Sequence, residues 1–204
     1  HRHFGNRLKC ERAYFGDPPI PDCPGMLVEG KEINQQVDFV RKIDPDIVLV
    51  FGCGMIRSPL CHILPKATIN LHLGLSPRYR GAATLFWPFY FLEPAWAGAT
   101  FHRITQEPDA GDVIHQVTPT LSMADGIHDV ACKVVVEAAE AMVRLLGMDA
   151  WKSRPQRATG KCFLASDFQP GHLRTIYDTW DDKIVAAFLK GDIEPRQPKV
   201  YSQW

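Results

Sequence analysis

Two continuous apolar runs, rich in β-branched residues, predict the first strands of the chain. Residues 46–52 (DIVLVFG) follow Pro45 and end at a glycine, and residues 67–72 (ATINLH) end in polar side chains. Runs of this length predict strands that are buried on both faces, as in a parallel sheet. Residues 52–65 predict a loop that leads into a short helix. A strand, a helical crossover and a second strand make a βαβ unit, which is typical of α/β folds.

Two helices are predicted before these strands. Residues 1–16 have an amphipathic pattern that ends at a glycine. Residues 32–46 place apolar side chains at helical spacing, with Asn34 as the N-cap and Pro45 as the stop. The first convincing strand therefore starts only at residue 46. Either the start of the fold is unusual, or the chain lacks the strand–helix unit with which many open α/β sheets begin.

A helix and a hairpin are predicted after the second strand. Residues 82–93 form an aromatic-rich helix in which Pro88 either introduces a kink or belongs to the first turn. Residues 98–104 and 112–121 alternate between apolar and polar side chains, like strands with one solvent-exposed face. The connection between them is rich in turn residues, so we expect these two strands to form a hairpin.

The clearest helix covers residues 124–147, where the apolar side chains fall on one stripe. Asp125 can cap its start and Gly147 its end. The chain then becomes polar, as in a linker, before a short apolar stretch returns. We therefore expect a core over residues 1–148, and a linker with a small C-terminal region over residues 149–204.

The composition indicates a globular protein and disfavours one class of function. Hydrophobic residues make up 46% of the chain and charged residues 23%, with 23 Lys and Arg against 23 Asp and Glu. A broad nucleic-acid-binding surface usually shows as a basic excess, so only a local basic patch stays open. No apolar stretch approaches the ~20 residues of a membrane span, and no signal peptide opens the chain. We expect a cytoplasmic protein with no membrane partner.

The six cysteines give no indication of a metal site, because none forms a CxxC pair and their spacing fits no zinc module. Cys53 and Cys132 lie in apolar runs, where a free cysteine behaves as a small hydrophobic residue. The cysteine pattern favours a reducing compartment and leaves one disulfide open.

Asn70 and His72 are unusual residues for a buried strand. Side chains two apart on a strand share a face, so both point the same way near the carboxyl end of a parallel strand. Ligands of open α/β sheets bind outside these ends. Asn offers an amide donor, and His offers a proton donor or acceptor near neutral pH. Asp109 and Asp112, in the predicted hairpin connection, are the carboxylates that can fold back to orient the imidazole.

The segments INLHLGLSPRYRGAATLFW and PDAGDVI resemble the folate-dependent formyltransferase family. Its pattern is Asn-x-His after a strand, then a Pro-containing turn with an Arg-Gly step, then an Asp-x-Gly loop. Asn70, His72, the turn at 76–81 and the loop that starts at Asp109 match this pattern in order. The resemblance covers about residues 31–148 and implies a Rossmann-like, open, mostly parallel α/β sheet flanked by helices. In such a fold, the first strand–helix unit is missing from this chain and a small C-terminal appendage follows the core.

The resemblance also implies a reaction, the transfer of a formyl group from 10-formyltetrahydrofolate to an amine, without a metal. Asn70 donates a hydrogen bond to the oxyanion that forms during attack, and a protonated His72 donates another. His72, or a water held by Asp109, relays the proton of the amine. Asp109 is the catalytic carboxylate, and we expect it to raise the pKa of His72 by favouring the charged imidazole.

The ligand-binding residues are likewise implied by the resemblance. The folate pocket is expected between the loop after the first strand and the Asp loop, with apolar and main-chain contacts. One of the two arginines of the turn contacts a phosphate or carboxylate of the ligand, although both arginines also fit solvated loop charges. The folate-binding residues are Gly54, Met55, Ile56, Glu107, Ala110 and Gly111, and the substrate-binding residues are Arg78 and Arg80. His102, His115 and His128 are expected at exposed positions, and a metal site there is disfavoured.

The acceptor is predicted to be a small-molecule amine, with a nucleotide-linked amino sugar as the best candidate. The neutral charge and the lack of a long basic C-terminal domain argue against methionyl-tRNA. Three alternatives stay open: a methionyl-tRNA formyltransferase-like enzyme, a formyltetrahydrofolate hydrolase and a catalytically silent folate-binding module. We expect no nucleic-acid partner and leave a homodimer open.

Overall fold

The computed structural model describes residues 2–23, 25–157 and 161–204. His1 of the predicted first helix and residues 158–160 of the predicted linker lie outside this part of the chain. The described residues form five α-helices: α1 (Arg2–Phe15), α2 (Val37–Ile43), α3 (Trp87–Tyr90), α4 (Ile127–Leu146) and α5 (Ile184–Lys190). They also form six strands: β1 (Val48–Phe51), β2 (Thr68–His72), β3 (Arg80–Gly81), β4 (Ala99–His102), β5 (Val113–Val117) and β6 (Cys162–Phe163).

A four-stranded sheet in the order β1-β2-β4-β5 is the centre of the fold. β1 and β2 pair in parallel, with a crossover that contains the 3₁₀ turn Leu60–His62. β2 pairs antiparallel with β4, and β4 antiparallel with β5, so the predicted hairpin is confirmed. The α/β fold class, with a sheet flanked by helices, is also confirmed. The parallel pairing of this sheet lies between β1 and β2. β4 and β5 follow each other through a short connection, which can join only antiparallel strands.

Two predictions about burial were wrong in opposite directions. β1 was expected to be buried on both faces, but Leu49 is 46% and Phe51 60% exposed. β1 is the edge strand of the described sheet, and one of its faces lies open. β4 was expected to have a wet face, but all four of its residues are buried. Helix α4 packs on one face of β4 and β5, and Trp204 packs on the ring of His115 at a centroid distance of 4.0 Å.

Helix α1 ends at Phe15, and Gly16 follows with a φ of +69°, a left-handed conformation that glycine adopts without strain. This end was predicted. The capping role predicted for Asn34 was wrong, since residues 30–35 form a 3₁₀ turn. The Asn34 side chain instead donates to the Met55 carbonyl at 3.0 Å and accepts from the Arg57 N–H at 2.6 Å. It ties the helical region to the loop after β1.

Helix α4 is confirmed, but its start was assigned to the wrong carboxylate. Asp125 binds Ser122 and Lys133. The backbone N–H of Gly126 donates to Asp129 at 3.0 Å, and that of Ile127 donates to Asp182 at 2.9 Å. Because Asp182 comes from a distant segment, its capping role could not be read from the local sequence.

Helix α3 is shorter than the predicted helix over residues 82–93, and Pro88 lies in its first turn. The C-terminal region packs against the same hydrophobic core as the sheet and α4. Its buried core residues are Phe163, Ile176, Tyr177, Ile184, Val185, Ala187, Phe188 and Ile193. The division into residues 1–148 and 149–204 stays a prediction.

All six cysteines are free thiols in this structure, and Cys53 is exposed, contrary to its predicted apolar environment. No helix in the described part of the chain has the length and apolar character needed to cross a bilayer.

Candidate functional site

The carboxyl end of β2 carries the two polar side chains that the sequence singles out. Asn70 lies opposite His102 of β4, and His72 lies opposite Thr100. Since β4 runs antiparallel to β2, the chain leaves β4 beside Asn70 and enters the hairpin connection there. This connection returns Asp109 to the same place. The backbone of Asp109 has a φ of +49°, a left-handed conformation that Asp adopts more readily than most residues.

The Asp109 carboxylate lies between two imidazoles. Its Oδ2 is 3.4 Å from Nδ1 of His72, and its Oδ1 is 3.4 Å from Nε2 of His102. The backbone N–H of Gly81 donates to Oδ2 at 2.8 Å. Asn70 joins the cluster because its Nδ2 lies 2.9 Å from Nε2 of His102. The three residues predicted as catalytic are therefore brought together, with His102 as a fourth member.

The protonation of His72 follows from its contacts. Its Nε2 lies 2.8 Å from the Tyr79 carbonyl, which can only accept, so Nε2 carries the hydrogen. Nδ1 is therefore the basic nitrogen and faces Asp109. Burial lowers the pKa of His72, and this effect exceeds the increase from Asp109 and the Tyr79 carbonyl. Asp109 raises this pKa as predicted, but the net shift is downward, because the burial of the ring was not visible in the sequence.

The pKa of Asp109 is shifted in the direction that keeps it ionised. Burial alone would raise this pKa. The hydrogen bond to His102 and the Gly81 N–H lower it, as does the positive charge of His72 once this ring is protonated, and together they outweigh burial. The site therefore combines an ionised carboxylate with a neutral imidazole whose basic nitrogen points at it.

His102 was missed in the sequence and was expected at an exposed position, but it is only 3% exposed. Its Nδ1 lies 2.8 Å from the Arg103 carbonyl, which fixes the ring with Nε2 towards Asn70 and Asp109. An antiparallel pairing of β4 with β2 would have placed His102 opposite Asn70, but the sequence pattern does not name the partner strand. The exposure predicted for His115 and His128 was also wrong, since both are buried.

The loop that carries Asp109 is held by several long-range contacts. The buried Arg80 donates from Nη1 to Glu107 at 3.0 Å and to the Pro108 carbonyl at 3.2 Å. Gln156 donates from Nε2 to the Asp109 carbonyl at 3.0 Å and to the Gly111 carbonyl at 2.5 Å. A Cβ at Gly111 would strike the Arg103 carbonyl, so only glycine fits there. These contacts fix the direction of the carboxylate.

The two arginines predicted to bind substrate are both engaged within the protein. The Arg80 side chain is 4% exposed and serves the Asp109 loop. Arg78 forms a bidentate pair with the buried Glu93, at 2.9 and 2.7 Å, and lies over the ring of Trp96 at 5.0 Å. About half of the Arg78 side chain remains exposed. Their substrate-binding role stays a prediction, and the geometry favours it less for Arg80 than for Arg78.

The predicted folate residues lie in two loops. In the loop after β1, Gly54 is exposed, Met55 is half-buried and Ile56 is buried. Ile56 lines a cavity of about 330 Å³ together with residues 103–106, the start of the Asp109 loop. Of the remaining three, Glu107 is exposed and Ala110 is half-buried, while Gly111 is buried. Within the described residues, no group of three or more His, Cys, Asp and Glu side chains is arranged to hold a metal ion.

Comparison with solved structures supports the fold. A formyltransferase PseJ from Anoxybacillus kamchatkensis superposes with a TM-score of 0.56 at 20% identity, over 90% of this chain and 91% of that one. A 4-N formyltransferase from Francisella tularensis gives a TM-score of 0.56 at 21% identity, over 81% of this chain and 63% of that one. At these identities the likeness shows the fold alone.

Comparison of sequences gives the family. A methionyl-tRNA formyltransferase from Clostridium botulinum is 29% identical over 178 residues, which cover 84% of this chain and 55% of that protein. The chain spans about half the length of the curated relatives it matches. The family model described as formyl transferase matches residues 12–146, which is more than half of the chain. The chain belongs to the formyl transferase family.

Proposed function

We propose that this chain carries the catalytic site of an N-formyltransferase, which transfers a formyl group from 10-formyltetrahydrofolate to a primary amine of a small metabolite. One observation carries the proposal: an ionised Asp109 carboxylate lies 3.4 Å from the basic nitrogen of His72, beside the amide of Asn70. Proton transfer and amide donation are the two kinds of help that attack of an amine on a formyl carbon needs. Membership of the formyl transferase family supports the same reaction.

His72 and Asp109 supply the base. The attacking amine must lose a proton, which reaches Nδ1 of the neutral His72 through Asp109 or a water that it holds. The resulting imidazolium lies against the Asp109 carboxylate, which stabilises the charge. The proton then returns to the folate nitrogen as the bond between this nitrogen and the formyl carbon breaks, so that tetrahydrofolate leaves as the new C–N bond forms. Such general base help is typically worth ~10²–10⁴ in rate. The hydrogen on Nε2 stays with the Tyr79 carbonyl throughout, so the ring keeps its orientation.

Asn70 supplies the hydrogen-bond donor for the developing oxyanion. Its amide has two hydrogens, and one of them faces His102. The other is available to the carbonyl oxygen of the formyl group, and one such donor is typically worth ~10²–10³ in rate. His102 holds Asn70 and Asp109 in one arrangement and acts through them as a positioning residue.

The residues around the Asp109 loop fit a folate. The cavity of about 330 Å³ has apolar walls at Ile56, Leu64 and Ile104 and polar groups at Thr105 and Gln106, which suits a flat ring with hydrogen-bonding edges. Of the predicted folate residues, Ile56 lines this cavity, and Met55 and Glu107 directly adjoin lining residues in the sequence. The bound co-substrate supplies the formyl group. The chain's own residues bind it, hold the amine in line and take up the proton.

A nucleotide-linked amino sugar is the acceptor that we favour. The solved PseJ neighbour is a formyltransferase in complex with a UDP-linked formamido sugar and tetrahydrofolate. The zero formal net charge of this chain agrees with a small acceptor. Methionyl-tRNA is the second candidate, because the curated relatives carry the name methionyl-tRNA formyltransferase. A tRNA acceptor usually requires a basic surface, and the composition offers no basic excess.

The experiment is an acceptor screen with 10-formyltetrahydrofolate, read by the mass gain of one formyl group. A UDP-linked 4-amino sugar, methionyl-tRNA and a panel of simple amines are the test substrates. We expect formylation of the amino sugar and none of the tRNA. Release of tetrahydrofolate at the same rate without any amine would show a hydrolase instead. Firm folate binding without turnover on any amine would show a silent binding module.

A further inference from the structure

A second cavity, of about 730 Å³, is lined in part by the segment that links β2 to β3. Its walls are residues 75–79, residues 197–199 of the C-terminal segment, and the side chains of Phe91, Trp96 and Phe163. Its volume is within the range of typical small-molecule sites. The proposed reaction does not use this cavity, so its lining needs a separate explanation.

The apolar part of the lining is aromatic. Tyr79 and Phe163 are stacked with a centroid distance of 6.2 Å and an interplanar angle of 17°. Trp96 lies edge-on to Tyr79 at 6.5 Å, and the half-exposed Phe91 stands at the entrance beside Phe163 at 6.3 Å. Tyr79 and Phe163 are buried, so Phe91 and Trp96 are the rings of the lining that are open to a ligand, and their flat faces favour one with a planar ring.

The charged part of the lining is entirely cationic. Arg78, Lys161 and Lys199 line the cavity, and no Asp or Glu of the described residues does so. Asp167 pairs with Lys161 from outside, at 3.1 Å. Among the described side chains, no ion-pair partner is found for Lys199. Glu93 lies behind Arg78, and it is compensated by a second cation, Arg196, at 3.4 Å. The cavity therefore presents positive charge to a ligand.

Two buried polar atoms of the lining have no hydrogen-bond partner in the described structure: Oγ of Ser76 and Nε1 of Trp96. Ser76 is only 4% exposed, and its N–H and carbonyl are already used by Thr100 and Gln116. An unpaired buried donor is unfavourable and therefore calls for an explanation. Both atoms are enclosed, so each can reach an acceptor in the cavity only if its side chain turns towards it.

We propose that this cavity binds a nucleoside diphosphate through its ring and its phosphates. Phe91 and Trp96 flank the planar base, and Arg78, Lys161 and Lys199 face the phosphates. That this cavity holds the nucleotide part of the acceptor rests on the proposed function. Binding of the free nucleotide does not rest on it.

Tyr79 connects this cavity to the Asp109 site. Its ring lines the cavity, and its carbonyl accepts the hydrogen of His72 Nε2 at 2.8 Å. Two residues further on, the N–H of Gly81 binds Asp109. A bound nucleotide that fixes the conformation of residues 75–79 therefore also fixes the backbone groups that orient His72 and Asp109.

The test is isothermal titration of the protein with UDP at low salt, with uridine and inorganic pyrophosphate as separate probes. We expect UDP to bind, and each fragment to bind at least tenfold more weakly, because each satisfies only half of the lining. Binding of UDP should weaken as salt is raised, since salt screens the exposed lysines. Equal affinity for UDP and pyrophosphate would mean a simple anion site and would overturn the proposal.

The variants use exposed residues, so that folding is not at risk. Lys199→Ala and Phe91→Ala should each weaken UDP binding by about fivefold or more. Lys190→Ala, an exposed lysine at the end of α5, is the charge-matched control and should bind like the parent. The proposal fails if UDP does not bind, or if neither lining variant differs from the control. A protein that binds UDP but formylates no amine would leave the cavity assigned and refute only the proposed reaction.

Discussion

Glu93 and Asp109 are two carboxylates with little exposure to solvent, and the side chains that hold them differ in one respect. Glu93 is 5% exposed and is held by Arg78, Arg196 and the hydroxyl of Tyr79. Asp109 is 16% exposed and is held by His72, His102 and the N–H of Gly81. The partners of Glu93 keep their protons at any physiological pH, whereas imidazoles gain and lose them.

In the proposed reaction, this difference separates a structural carboxylate from one that takes part in proton transfer. Arg78 and Arg196 compensate Glu93 permanently, so Glu93 can fix a loop but cannot take part in proton transfer. His72 and Asp109 share a charge that moves when the ring accepts a proton. Tyr79 touches both clusters, since its hydroxyl donates to Glu93 at 2.8 Å and its carbonyl accepts from His72. The structural cluster therefore supports the chemical one.

The distinction between the two carboxylates is tested most directly by neutralising each of them in turn. Asp109→Asn should reduce kcat of formyl transfer by ~10²–10⁴, because an amide cannot stabilise the charged ring of His72. Glu93→Gln should retain far more activity, but should lower the free energy of unfolding by about 2 kcal/mol, because Arg78 and Arg196 lose their common partner. The loss is at the low end for a buried pair, since both arginines are about half exposed and reach water. Steady-state kinetics and urea unfolding measure the two effects. Equal losses of activity in both variants would contradict the distinction.

The acid side of the pH profile tests the state of His72. Burial lowers its pKa below the ordinary value of 6.5. The base is therefore present at neutral pH and is lost only below 6.5, where kcat/KM should fall by about tenfold per pH unit. An activity that falls already above pH 7 would mean a raised pKa and a protonated ring in the working enzyme.

Folding must be checked across the same pH range, because other buried histidines also respond to acid. Burial lowers the pKa of His115 and of His128 to about 4. Between pH 4 and 6.5 these rings bind protons in the unfolded chain and not in the folded one, so stability falls as pH falls. Chemical unfolding at each pH should show this loss. Activity is then compared only where the protein remains folded.

Arg80→Met asks whether this arginine belongs to the binding of substrate or to the positioning of Asp109. Its guanidinium holds Glu107 and the Pro108 carbonyl, directly before Asp109. We expect kcat to fall by about tenfold to a hundredfold, because the carboxylate loses its fixed direction. KM for the acceptor should change little. A higher KM with unchanged kcat would instead support the substrate contact that the sequence motif predicts.

The local pattern of the sequence predicts the parts of this site that depend on nearest neighbours. Asn70 and His72 share a face because they are two residues apart on a strand, and the resemblance supplied Asp109. The pattern could not give His102, because its position depends on which strand pairs with β2. It could not give the burial of Arg80 or of His72, which determines whether a charged group meets a ligand or a neighbour. Similarly, the exposed edge of β1 depends on what covers the sheet, and an apolar run alone does not report that.

The smallest effect is expected from Gln156→Ala. Gln156 donates to the carbonyls of Asp109 and Gly111 and holds the loop from its outer side. Its loss should cost about 1 kcal/mol of stability and reduce kcat by up to about fivefold, because the loop keeps its contacts to Arg80 and Gly81. Gln169→Ala removes a single side-chain bond, to the Ser166 carbonyl, in a loop away from the site, and should cost similar stability without affecting kcat. If both variants lower kcat alike, the effect is one of global stability, and Gln156 has no part in orienting Asp109.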